Sequence, residues 1–89
     1  MDNIITAEFK SEEKYTRLLI DFTDINNKDK ILKVINDKVI KSDKLCIYNV
    51  DRCKNGNCIA VEYNNCNRRE INTIFSDIVK TLGITEIYN

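Results

Sequence analysis

The chain has 89 residues, 43% hydrophobic and 31% charged, with two glycines and no proline; this fits one globular domain over residues 1–89 and argues against a linker or a disordered tail. Fourteen basic residues balance fourteen acidic ones, a zero net charge that disfavours a nucleic-acid binder, whose affinity comes from neutralising phosphates. No apolar run approaches the roughly 18–20 residues of a membrane span, and the N-terminus does not read as a secretory signal, so the expected location is the cytoplasm.

Ile4 to Phe9 alternates, with Ile5, Ala7 and Phe9 on one side and Thr6 and Glu8 on the other. Tyr15 to Phe22 alternates in the same way through Leu18, Ile20 and Phe22. The charged segment Lys10 to Lys14 between them predicts a hairpin with a five-residue loop. Asp24, Asn26 and Asn27 offer caps for a helix from Lys28 to Lys41. Ile31, Leu32, Ile35 and Val39 fall at helical spacing, and Val34 and Ile40 widen the stripe.

Lys44 to Arg52 and Cys58 to Tyr63 read as strands around Asn55-Gly56, the strongest short signal for a type I′ hairpin. With those two residues as the loop, Cys53 faces Cys58, Arg52 faces Ile59, Val50 faces Val61 and Tyr48 faces Tyr63. Cys46, Tyr48, Val50, Ile59, Val61 and Tyr63 then lie on the core face. Leu45, Ile47, Asn49, Asp51, Cys53, Ala60 and Glu62 lie on the outer one. Asn67 followed by Glu70 is close to a capping box. Ile71, Ile74, Phe75, Ile78 and Leu82 give a second amphipathic helix that Gly83 ends, and Thr85 to Tyr88 forms a short last strand.

From Tyr15 onward the order is βαββαβ, the split βαβ arrangement of ferredoxin-like folds. The fold expected is therefore α+β: an antiparallel sheet, two helices on one face and an extra N-terminal strand. That extra strand competes with the last strand for the same edge.

Chemistry-bearing residues are few. The chain has four cysteines and no histidine, and the cysteine spacing lacks the two close pairs a zinc site needs. Cys53 and Cys58 would oppose each other across the hairpin and form a disulfide, which a reducing compartment opposes in favour of four free thiols. Asp21 and Asp51 are the candidates for a Mg²⁺ site in nucleic-acid processing; a solvated face shared with Asp24, Glu62, Arg17 and Lys44 is the preferred account. Arg68 and Arg69, with Lys10, Lys14 and Arg17, are the basic positions a nucleic acid would use. In this register Tyr48 and Tyr63 point inward and leave no aromatic platform outside.

Leu19, Leu45, Ile47 and Ala60 then make an apolar patch on the helix-free sheet face. No catalytic, cofactor or metal residue is expected, because no nucleophile has an activating partner. The function expected is a small non-enzymatic protein-binding module, an inhibitor or adaptor. It would use that patch, the open strand edge beside it, and Arg68 and Arg69. The alternatives are a small nucleic-acid-binding or metal-dependent nucleic-acid-processing protein, and a homodimeric structural domain whose patch buries itself. Abundant isoleucine, asparagine and lysine suggest an AT-rich microbe, its virus or a mobile element as the source.

Overall fold

A computed structural model describes residues 3–51 and 53–89; Arg52, expected opposite Ile59, lies outside the described residues. Among the described residues the fold is α+β, with a five-stranded mixed sheet and two α-helices. Strands β1 (Ile5–Glu12) and β2 (Tyr15–Phe22) form a hairpin closed by the two residues Glu13 and Lys14. The loop is shorter than expected because Lys10, Ser11 and Glu12 stay in the ladder, opposite Arg17, Thr16 and Tyr15.

A 3₁₀ turn, Ile25–Asn27, leads into the first helix, and the Asp24 carboxylate caps it by accepting the Asn26 N–H at 3.0 Å. Helix α1 (Lys28–Lys38) stops three residues before Lys41, the expected end. Val39 is already extended, and the Tyr63 hydroxyl donates to the Ile40 carbonyl at 2.6 Å, holding that carbonyl outside the helical ladder. Ile40, expected on the apolar stripe, is exposed instead.

Helix α2 (Arg68–Thr81) begins at Asn67, whose side-chain oxygen accepts the N–H groups of Arg69 and Glu70 at 3.1 and 3.4 Å. It ends where Gly83 takes φ +70°, a conformation glycine adopts without steric cost. The N–H groups of Gly83 and Ile84 then donate to the carbonyls of Lys80 and Val79, a Schellman motif with Ile84 and Val79 both buried.

The remaining strands are β3 (Leu45–Asn49), β4 (Asn57–Asn64) and β5 (Glu86–Tyr88), and the sheet order is β3-β4-β2-β1-β5. β1 and β5 run parallel and every other neighbouring pair is antiparallel, so the sheet is mixed and not the all-antiparallel one expected. The first and last strands do not compete for one edge: β1 lies between β2 and β5, and the last strand pairs with β1.

The largest departure from expectation is the register of β3. Asn49 pairs with Ile59, Tyr48 with Ala60, Ile47 with Val61 and Leu45 with Tyr63. This is three residues away from the two-residue hairpin, and an odd shift turns every β3 side chain to the other face. Leu45 and Ile47, expected outside, pack against the core, while Cys46 and Tyr48 look outward. The Asn55-Gly56 corner is not a type I′ turn, since Gly56 has φ +114° and Asn55 has no positive φ. Val50 N–H donates to Cys58 O and Asn64 N–H to Lys44 O. Those bonds phase the ladder so that Ile47 and Asn49 turn their own N–H and C=O toward the open edge.

The covered face carries Phe9, Leu18, Val61 and Ile47 in one row and Ala7, Ile20 and Ile59 in the next. Ile31 and Ile35 of α1 and Ile71, Phe75 and Ile78 of α2 join these residues in one core. Each large apolar side chain buried there contributes about 1.5–3 kcal/mol. The register predicts that Leu45→Ser lowers the unfolding free energy by about 2 kcal/mol, for lost core packing. Cys46→Ser should change it by about 0.5 kcal/mol or less, as for an exposed site. Urea denaturation of both variants checks this, and the reverse ranking would place β3 in the other register.

Candidate binding face

Among the described residues no helix covers the second face of the sheet. β1 places Thr6, Glu8, Lys10 and Glu12 there, β2 places Tyr15, Arg17, Leu19 and Asp21, β4 places Cys58, Ala60 and Glu62, and β3 places Cys46 and Tyr48. β5 adds Glu86 opposite Thr6 and Tyr88 opposite Glu8. Tyr15, Tyr48 and Tyr88 therefore share one open surface, with Arg17 and Leu19 between them on β2.

Asp21 anchors one end of this face. Its two carboxylate oxygens accept the backbone N–H groups of Lys54 and Asn55, each at 3.0 Å, and the residue is buried. Asn57 reinforces the junction by donating its side-chain N–H groups to the carbonyls of Phe22 and Thr23 at 3.2 Å. The loop is thus fastened back onto β2, and the Lys54 ammonium sits 5.7 Å from the centre of the Tyr88 ring. A small cavity of about 190 Å³ opens there, lined by Thr6, Glu8, Leu19, Asp21, Lys54 and Tyr88.

Glu62 organises the other end. Its Oε2 accepts the Tyr15 hydroxyl at 2.5 Å and the Tyr48 hydroxyl at 3.3 Å, fixing both rings beside β4. Burial first, then the hydrogen bond to Glu62 and its negative charge, push the Tyr15 phenol up to about 12, while the Arg17 guanidinium pulls weakly the other way. Arg17 stands between these groups on β2, opposite Glu62 on one side and Lys10 on the other. Its Nε is buried and has no hydrogen-bond partner.

The candidate residues fall in different places. Leu19 is on the open face and half-buried. Ala60 is on that face too but is 0% exposed, so it offers no contact area. Leu45 and Ile47 are half-buried and pack against the core on the helix-covered side, so they are no part of the open face. Arg68 and Arg69 are exposed at the start of α2, beside Glu13 and Lys14, and the fold does not bring them to the open face.

Cys46, Cys53, Cys58 and Cys66 are free thiols. The strand partner of Cys58 on β2 is Asp21, and Cys53 sits in the loop donating its S–H to the Val50 carbonyl at 3.1 Å. Cys58 is buried, and that burial, followed by the neighbouring Cys53 thiol, pushes its own thiol upward. Asp21 is engaged by the loop amides rather than open to a cation, and among the described residues no group of three Cys, Asp or Glu converges as metal ligands would.

Sequence reasoning missed Tyr48, Tyr88 and the central position of Arg17. The available signal was in β3 itself: leucine and isoleucine bury without cost, whereas a buried tyrosine needs a partner for its hydroxyl. Comparison with protein-family models, curated proteins and solved structures gives no match.

Tyr15, Tyr63 and Cys58 all ionise at higher pH in the folded chain than in free solution, Tyr15 moving from 10.0 to about 12. Their neutral forms are the ones the fold favours. The stability they contribute is complete below the unfolded values, near 9 for the thiol and 10 for the phenols. It is lost as pH rises past those values and through the folded ones. The urea midpoint should therefore hold between about pH 7 and pH 8.5 and fall by about pH 11. Tyr15→Phe should shallow that fall, and an identical slope in the variant would contradict the environment described for Tyr15.

Proposed function

We propose that the chain is a non-enzymatic protein-binding module that docks a partner on the helix-free sheet face. The observation that carries this reading is the side-chain set held there. Tyrosine and arginine are the residues that most often dominate interface energetics, and Tyr15, Tyr48, Tyr88 and Arg17 occupy one surface around Leu19. The surrounding Glu8, Lys10, Glu12, Lys54 and Glu86 are exposed, as a polar interface rim is. An inhibitor or adaptor role in the cytoplasm fits this reading, since free thiols persist in a reducing compartment.

On this reading the architecture is a variant of the ferredoxin-like split βαβ. β2, α1, β3, β4, α2 and β5 follow that order, and β1 is a strand inserted beside β2.

A second reading, single-stranded nucleic acid stacked on the tyrosines, gains from their outward placement. Charge opposes it. Lys10, Arg17 and Lys54 are outnumbered on this face by Glu8, Glu12, Asp21, Glu62 and Glu86, and a polyanion gains little from such a surface.

The two are separated by affinity capture from the native organism with three baits: the wild-type chain, a Tyr48→Ala/Tyr88→Ala variant and a Lys30→Glu/Lys33→Glu variant on α1. The protein-binding reading predicts a protein partner retained by the wild type and the α1 variant, weakened at least about tenfold by the tyrosine variant, and unaffected by nuclease. Capture that ignores the tyrosines, or that nuclease abolishes, would overturn it.

A further inference from the structure

We propose that Cys53 and Cys58 are a redox site: a low-molecular-weight disulfide oxidises them to an intramolecular disulfide that fastens the β3–β4 loop to β4.

The loop brings the two thiols together although the tight hairpin is absent. Four residues separate them in the chain. Val50 is bonded to both. Its N–H donates to the Cys58 carbonyl at 3.0 Å, and its own carbonyl accepts the Cys53 S–H at 3.1 Å. Asp21 makes the same link from the other side. It is the strand partner of Cys58 on β2, and its carboxylate holds the N–H of Lys54, the residue after Cys53. The Cys53 and Cys58 side chains are accordingly in hydrogen-bonding contact. The other two thiols stand toward the opposite end of β4: Cys46 lies across from Glu62, and Cys66 donates to the Tyr63 carbonyl at 3.6 Å.

Cys53 is half-buried and Cys58 is buried, so Cys53 meets the oxidant first. As a thiolate it attacks the small disulfide RSSR, breaking that S–S bond, releasing RS⁻ and forming a Cys53–SR mixed disulfide. Cys58 then loses its proton to solvent, attacks the Cys53 sulfur and displaces the second RS⁻. Two protein thiols give up two electrons, and RSSR becomes two RSH. Burial pushes the Cys58 thiol upward, which makes closure slow at neutral pH. It also makes Cys58 a poor leaving group when an outside thiol attacks the exposed Cys53 sulfur, so the closed form resists reopening. The disulfide fixes the loop that carries Lys54 to the Tyr88 ring at one end of the open face.

The test equilibrates the native chain with oxidised and reduced glutathione, in buffer and in urea. After acid quenching, alkylation and proteolysis, mass spectrometry should find Cys53 joined to Cys58, with Cys46 and Cys66 alkylated or carrying glutathione. A fold that holds the two sulfurs together favours their bond, so the equilibrium constant against glutathione should be about tenfold or more larger in buffer than in urea. Amide exchange at Lys54 and Asn55, the two N–H groups on Asp21, should slow severalfold on oxidation. A Cys53→Ser chain given the same treatment should show no such slowing. A different pairing, no pairing, or an equilibrium constant no larger in buffer than in urea would overturn the inference. So would Lys54 and Asn55 amides that exchange as fast or faster after oxidation, or that slow equally in Cys53→Ser.

Discussion

The carboxylate of Asp21 accepts the backbone N–H groups of Lys54 and Asn55 at 3.0 Å each, and much of the molecule's surface chemistry follows from that contact. Hydrogen bonds to a charged group are worth about 1.5–3 kcal/mol each, more than neutral ones. Two of them draw the β3–β4 connection back onto the end of β2, where Asn57 adds its bonds to Phe22 and Thr23. A loop held in this way spans the residues between Asn49 and Asn57 and does not close as a tight corner at Asn55-Gly56. β3 then pairs with β4 three residues from the tight-hairpin register.

Core packing pulls in the same direction. The observed register sends Leu45 and Ile47 toward the helices and leaves Cys46 and Tyr48 outside. Burying leucine and isoleucine contributes about 1.5–3 kcal/mol each. Placing Tyr48 inside instead would bury a hydroxyl that now rests on Glu62. The outward turn of Tyr48 joins it to Tyr15 and Arg17, so one register choice serves both the core and the face. On that face the Arg17 Nε is a buried donor without a hydrogen-bond partner among the described residues.

Much of the architecture was legible because its signals were local and periodic. The alternation in Ile5–Phe9 and Leu18–Phe22, the helical stripes through Ile31 and Ile35 and through Ile71, Phe75 and Ile78, the Asn67 cap and the Gly83 stop each follow from a few adjacent residues. What was not legible depends on partners far apart in the chain. Nothing near Asn55 announces that Asp21, more than thirty positions earlier, will take its amide. In Leu-Cys-Ile-Tyr-Asn the burial preference of leucine and isoleucine points to the observed face, but the Asn55-Gly56 signal is the stronger local one and points to the other register. The Ile40 carbonyl, two residues past the end of α1, accepts a hydroxyl from β4, another contact with no trace in local periodicity. The mixed sheet escaped for a similar reason, because the place of β5 is set by β1 rather than by its own three residues.

The register of β3 against β4 is the claim on which the binding face depends, and interstrand Hα–Hα nuclear Overhauser effects read it directly. In the ladder described, Leu45/Tyr63, Ile47/Val61 and Asn49/Ile59 are the close, non-hydrogen-bonded pairs, in which the Cα atoms approach to about 4.5 Å. Strong cross-peaks between those Hα protons are expected in the native chain. Cross-peaks joining Val50 to Val61 and Tyr48 to Tyr63 in their place would return Tyr48 to the core and contradict the account.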